Sequence, residues 1–295
     1  MIIRETHLVP EGVRRARLSD HARTAFESVA SRKGVSKAIK RGEIFIDGAV
    51  GHSGDWVTAG QTLELADLQQ RPPKVYRLPL EVVFEDDHLA VINKPAGIEV
   101  SGNKFKTVEN ALAGSLAPSA LPDALPWPRP VHRLDYSTSG LLLIAKTATA
   151  QLFLGRAFEE RRVRKRYQAV VMGALSAAGA VNEPINGLTA RSEYAPIETT
   201  PSLRSGNLTL ADLSPITGRT HQLRIHMAAI GHPIVGDQKH GEEGNTLKGK
   251  GLFLAAVELR FPHPATEREM NATLDTPPKF SALLVRERAR WNKFH

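Results

Sequence analysis

His132-Arg133-Leu134-Asp135-Tyr136-Ser137-Thr138-Ser139-Gly140-Leu141-Leu142-Leu143-Ile144-Ala145-Lys146 sets a polar, glycine-ended run directly against five apolar residues. Leu141 to Ala145 is apolar on both faces and predicts a fully buried strand. Ser137, Thr138 and Ser139 supply small hydrogen-bonding groups, and Gly140 permits a close backbone approach or an unusual φ. Polar residues at the end of a rigid strand sit where a scaffold stops and a site begins. Asp135 is therefore the first candidate for chemistry. A plainer reading competes with it, because a loop aspartate commonly caps a helix or satisfies backbone amides.

Upstream, the segment from Ala117 to Pro130 holds five prolines, Pro118, Pro122, Pro126, Pro128 and Pro130, and predicts irregular backbone. Before it, Leu80-Glu81-Val82-Val83-Phe84 and His88-Leu89-Ala90-Val91-Ile92-Asn93 flank Asp86-Asp87, a hairpin pattern. Downstream, a helix is expected from Thr149 to about Arg161, then strands through Arg166 to Val171, Leu208 to Leu213 and Leu252 to Val257. Strands and helices mix without regular βαβ alternation, so the class is α+β.

At the front, Arg17 to about Asp67 reads as a compact α/β module. A helix from Leu18-Ser19-Asp20 to Ala30 precedes a second from Val35 to Arg41, which ends at Gly42. Glu43 to Ile46 is a strand, Asp47-Gly48 a tight turn, and Gln61 to Leu65 a further strand. The polar, proline-bearing stretch from Gln69 to Pro73 marks a linker. The expected division is residues 1–70, a linker over 71–79, and residues 80–295.

Net charge is +8, which favours polyanionic partners and salt-dependent binding. Arg32, Lys33, Lys37, Lys40 and Arg41 fall within ten residues that hold no acid. On a helix, Lys37 shares a face with Lys40 and Arg41. Such a face can grip phosphates or can simply be solvated. The absence of cysteine excludes disulfides, thiolate nucleophiles and cysteine-ligated metals, and fits a reducing compartment. No apolar run approaches the roughly 18 residues of a membrane span, and Met1-Ile2-Ile3-Arg4-Glu5-Thr6 lacks the layout of a secretion signal. The expected location is the cytoplasm, with no membrane partner and a monomer as the default state.

The His132 to Lys146 stretch resembles the signature of the RluA-type pseudouridine synthases. Asn93-Lys94-Pro95-Ala96-Gly97 is similar to that family's first motif, and Lys165-Arg166-Tyr167-Gln168-Ala169-Val170-Val171 to its tyrosine-bearing strand. Thr217-Gly218-Arg219-Thr220-His221-Gln222-Leu223-Arg224-Ile225-His226 and Gly231-His232-Pro233-Ile234-Val235-Gly236-Asp237 resemble its third. The chain departs from the pattern at Ser101 and near Thr199, where the family usually has a histidine and an aromatic. The front module, with Ser31-Arg32 before its second helix and Ile46-Asp47-Gly48 at its turn, resembles the S-four type RNA-binding domain. There Ser19 stands where that family usually has an acid.

The resemblance implies a mixed, largely antiparallel catalytic sheet and isomerisation of uridine in ribosomal or transfer RNA, without a cofactor. It implies Asp135 as nucleophile, Arg224 as the cation that keeps it ionised, and Tyr167 stacked on the target uracil. Arg133 would fill the space left by the everted nucleoside. His132, Leu134, Thr138, Lys94, Arg219, His221, Gln222 and Ile234 would contact substrate. Strand alternation would aim Arg224, Gln222 and Thr220 to one side. Arg162 and Arg164, within the run Arg161, Arg162, Arg164, Lys165 and Arg166, would meet phosphates alongside the front module's cations.

Two other readings compete. His221, His226, His232, Asp237 and His240 could ligate a metal, but the five-residue step from His221 to His226 suits neither a strand face nor a helix face. A catalytically inert RNA-binding or assembly protein could keep the same fold.

Overall fold

The computed structural model describes residues 2–67, 75–241 and 249–295. The chain divides into two compact units, Met1–Pro73 and Lys74–His295. Of the expected linker, residues 69–74 lie outside the described residues, while residues 75–79 are described and belong to the second unit.

In the first unit the order is β1 (Ile2–Leu8), β2 (Ala16–Arg17), α1 (Leu18–Ala25), α2 (Arg32–Lys40), β3 (Ile44–Ile46), β4 (Ala49–Val50), β5 (Trp56–Val57) and β6 (Thr62–Asp67). One antiparallel sheet runs β1-β6-β3-β4, and β2 pairs with β5. Strand β1 is not anticipated by the sequence pattern, yet it pairs along β6 from Leu8 opposite Thr62 to Ile2 opposite Asp67. Helix α1 stops five residues short of the expected Ala30, because Phe26 turns extended and is buried in the core. Helix α2 starts on Ser31, whose hydroxyl accepts the Gly34 N–H at 3.0 Å, a side-chain cap for an otherwise orphan donor. It buries Val35, Ala38 and Ile39 and leaves Arg32, Lys33, Lys37 and Lys40 exposed. Asp47 and Gly48 both take positive φ, as the β3–β4 turn requires.

The second unit runs β7 (Glu81–Glu85), β8 (Leu89–Lys94), α3 (Val108–Leu112), β9 (Ala124–Pro130), β10 (Ser139–Thr147), α4 (Ala148–Glu159), β11 (Arg164–Met172), β12 (Gly179–Val181) and β13 (Ser192–Ser202). It continues with β14 (Gly206–Pro215), α5 (Gln222–Ala229), β15 (Leu254–Pro262), β16 (Glu269–Thr273) and α6 (Pro278–Phe294). Its sheet is ordered β12-β13-β14-β11-β15-β10-β8-β7, with β16 on β15 and β9 on β10. The pairings are antiparallel except β10 with β15. This is a mixed, largely antiparallel α+β unit. Tyr76 and Leu78 already pack on its core, and Tyr76 N–H donates to Asn110 O at 3.0 Å.

Both faces of the sheet are covered, which is why β10 reads as a continuous apolar run. Leu142 and Ile144 join the cluster beneath α5, while Leu141 and Leu143 join the one beneath α4. Each such side chain, fully removed from water, contributes about 1.5–3 kcal/mol. Helix α6 closes a third cluster through Phe280, Leu283 and Leu284.

Two expectations are corrected here. The proline-rich segment holds strand β9. Its prolines at 126, 128 and 130 recur every second residue, so their missing N–H groups fall on one edge. The other edge still bonds to β10, with Val131 N–H on Leu143 O at 3.0 Å. The stretch from Gln222 onward is helix α5, not a strand. Its residues Gln222, Leu223, Arg224, His226 and Met227 are all buried, and packing overrides the strand-like alternation. Among the described residues, no helix is long and apolar enough to cross a membrane.

Candidate active site

The loop over residues 131–138 lies between β9 and β10, and its backbone is fixed at both ends. Asp135 O accepts the Thr138 N–H at 3.1 Å, and Tyr136 O accepts the Gly97 N–H at 2.7 Å. At the start of β10, Gly140 has φ 111° and pairs with Ala256. A Cβ there would collide with the Ala256 carbonyl oxygen, so only glycine lets β10 meet β15 in this register. Asp135 is thereby presented from the middle of the sheet.

The carboxylate of Asp135, one-fifth exposed, opens onto a cavity of about 280 Å³. Arg224 Nη1 lies 3.6 Å from its Oδ2 and His221 Nε2 lies 3.9 Å away. Tyr167, Leu254, Leu134, Thr138, Arg133 and Arg219 also line the cavity. Tyr167 is buried, and burial reinforced by the Asp135 charge pushes its phenol well above the usual range.

Arg224 is held by a residue that the sequence offers as the end of the third motif and as a possible metal ligand. Asp237 accepts Arg224 Nε and Nη2 at 2.7 Å each, a bidentate pair that leaves Nη1 for Asp135. Asp237 also accepts the N–H groups of Lys239 and His240 at 3.0 and 3.1 Å. Burial opposes both charges. The mutual hydrogen bonds outweigh it, raising Arg224 above its ordinary pKa and lowering Asp237 below its own. The signal for Asp237 is present in the sequence, in the Gly236-Asp237 end of the third motif.

The remaining expected residues divide. All four hydrogen-bonding positions of the Gln222 amide are used within the protein. Its oxygen accepts Thr217 Oγ1 at 2.6 Å and the Arg219 N–H at 3.0 Å, and its nitrogen donates to Arg191 O and Ser192 Oγ. Gln222 therefore braces the loop ahead of α5 and offers no free polar group. Lys94 is fully buried and donates to Pro95 O and Ile98 O, both at 2.9 Å. Burial lowers it to about 8, against the opposing pull of Asp135. Ile234 lies in the core and not on the cavity wall. His132 lines the cavity against Phe158, but its Nε2 accepts the Leu143 N–H at 3.0 Å, and burial with the Lys165 charge lowers it to about 3. Thr138 Oγ1 is buried at the cavity and has no hydrogen-bond partner among the described residues. Arg133 is exposed beside it.

A groove of about 750 Å³ continues from the cavity past Phe158, Arg161, Arg164, Lys165 and Arg219. Arg162 pairs with Glu160 at 2.8 Å and lies over Phe153. Arg166 leaves the expected phosphate-facing run, because Glu258 and Asp212 take its guanidinium at 2.7 and 3.0 Å. The metal reading also fails on geometry. His226 sits between Ser192 Oγ and Glu183 O, His232 donates to Met172 O, and among the described residues no three ligands converge.

Comparison with known proteins points to one family. A family model for RNA pseudouridylate synthases matches residues 88–229. The chain is 32% identical over 288 residues to the ribosomal large subunit pseudouridine synthase D of Vibrio cholerae, covering 85% of this chain and 87% of that protein. It is 37% identical over 218 residues to the dual-specificity RNA pseudouridine synthase RluA of Pasteurella multocida, covering 68% of this chain and 94% of that one. The human RNA pseudouridylate synthase domain containing 1 superposes with a TM-score of 0.55 at 25% identity, over 71% of this chain and 95% of its own. Bidentate support for Arg224, an aspartate set beside it over a buried tyrosine, and identity across most of the chain place this protein among the RluA-type RNA pseudouridine synthases, a family of isomerases.

Proposed function

We propose that the enzyme everts specific uridines of structured RNA, ribosomal or transfer, into the Asp135 cavity and isomerises them with Asp135 as nucleophile. The C1′–N1 bond breaks, C1′ joins C5, the C5 proton is lost and N1 gains one. The observation that carries this reading is the Asp135–Arg224 pair at 3.6 Å, with Tyr167 beneath it in the same cavity. The guanidinium gives the nucleophile a fixed counter-charge, and its own charge is secured by Asp237.

Several features support RNA as the partner. Arg133 is exposed at the cavity and can fill a vacated base stack. Thr138 Oγ1 offers a buried hydroxyl to the everted nucleoside. Arg161, Arg164, Lys165 and Arg219 line the groove beside the cavity and offer cations to the phosphates of the flanking strand. The front unit is assigned as an S-four-type RNA-binding module over about residues 1–70, followed by the catalytic domain. Its order of α1, α2, β3, turn and β4 fits that module, and Arg32, Lys33, Lys37, Lys40 and Arg41 are all exposed. Relatives named for the ribosomal large subunit favour ribosomal RNA as the first substrate to test.

RNA carrying tritium at C5 of uridine tests the nucleophile. Wild type should release tritium to solvent, while Asp135→Asn should bind the same RNA and release none. Release by that variant would remove Asp135 from the chemistry. Mapping pseudouridine in total RNA with and without the gene would identify the target positions.

A further inference from the structure

His221 opens α5 in a left-handed conformation, φ 58° and ψ 19°, uncommon for a non-glycine residue, although histidine is among the types that adopt it more readily. That conformation turns the ring into the cavity, with Nε2 toward Asp135 and Nδ1 only 2.8 Å from His240 Nε2. One proton must bridge the two rings. When it rides on His221 Nδ1, the His221 Nε2 lone pair faces the cavity as an acceptor. When it rides on His240 Nε2, His221 Nε2 carries a proton toward Asp135. His240 is partly exposed, and among the described residues its Nδ1 has no hydrogen-bond partner.

We propose that the His221–His240 pair accepts the proton that leaves C5 of the uracil and relays it to solvent. The inference rests on Asp135 being the nucleophile of this cavity. In the step, His221 Nε2 takes the C5 proton, and the C–H electron pair restores the ring double bond. The bridging proton moves from His221 Nδ1 to His240 Nε2, and His240 gives its Nδ1 proton to water. Nothing is oxidised or reduced, and exchange with water resets the bridge.

Other groups on the cavity wall are poorly placed for the task. Burial and the Asp135 charge raise the Tyr167 phenol and disfavour the phenolate that a proton acceptor would need. His132 has already committed Nε2 to the Leu143 N–H. His221 faces Asp135, Arg224, His240 and Lys239, and His240 faces Asp237 as well. Burial lowers both imidazoles, and Arg224 and Lys239 lower them further against the opposing pull of the carboxylates. Both effects favour the neutral form of the two rings, which keeps a ring nitrogen lone pair available to a proton.

The test uses full-length enzyme and RNA carrying either uridine or 5-deuteriouridine at the target. His221→Gly tolerates the left-handed backbone and vacates the ring. It should lower kcat about 100-fold, show a larger deuterium isotope effect than wild type, and recover activity when free imidazole is added. His240→Asn should show a smaller loss with the same isotope signature. A ring that only positions Arg224 would give a loss with neither isotope effect nor rescue. That result, or near-normal turnover by His221→Gly, would overturn the proposal. Asp135→Asn, run alongside, separates this failure from failure of the nucleophile, because only the latter leaves tritium release intact in that variant.

Discussion

Helices α2 and α5 both carry closely spaced polar residues, and the fold treats them in opposite ways. On α2 the cations Arg32, Lys33, Lys37 and Lys40 stand in solvent over a buried apolar face. On α5 the polar residues Gln222, Arg224 and His226 are the buried ones. Burying a polar group costs free energy unless fixed partners satisfy it, so each of these three has its partners specified. An exposed cation needs none and can accept any phosphate that arrives. On the proposed function the open helix would supply affinity and the closed one geometry.

The largest effect should come from taking a partner away from the closed helix. Asp237→Ala leaves Arg224 as a buried charge without its bidentate partner and should cost about 3–5 kcal/mol. Urea unfolding would show the loss, and tritium release should vanish with it. A variant that keeps wild-type stability would erase the contrast between the helices.

A smaller effect is expected from pH. His132 is held neutral with a pKa of about 3 against 6.5 when unfolded. The folded pKa is depressed, so above pH 6.5 both states are neutral and nothing is lost. As pH falls below 6.5 the unfolded chain gains a proton that the folded one refuses. Stability then drops by up to about 1.4 kcal/mol per pH unit. Urea midpoints between pH 7.5 and 5 should show the slope in wild type and a flatter line in His132→Asn. Parallel lines would mean that the ring is already accessible to protons.

The smallest effect on stability belongs to the open helix. Lys37→Ala with Lys40→Ala should leave unfolding within about 0.5 kcal/mol of wild type. The double variant should instead weaken RNA binding and flatten its salt dependence, by roughly 0.7–0.9 in log–log slope for each phosphate that is no longer neutralised. A large drop in stability with an unchanged slope would make these lysines structural.

The same contrast explains what is legible in the sequence. Helix α2 can be read because its apolar residues follow the helical period, and the β7–β8 hairpin and β10 because short apolar runs are bounded by turn residues. Asp135, Tyr167 and Arg224 are legible only through a motif, and the structure brings them to one cavity. Helix α5 misleads because its buried positions are filled by polar residues, which imitate an exposed alternating strand. Strand β9 is hidden because prolines mark loops, and only the free edge of the strand makes them tolerable there. Asp237 suggests a metal because sequence spacing cannot show a carboxylate already engaged by an arginine.

Gly140 carries a consequence for how such enzymes diversify. Its backbone touches Ala256 with no side chain between them, so the strand bearing the aspartate loop and the strand bearing Leu254 keep a spacing that core substitutions cannot widen. New substrate preferences are then expected to accumulate at the rim, at exposed positions such as Arg133 and Thr220, while the gauge of the slot stays constant.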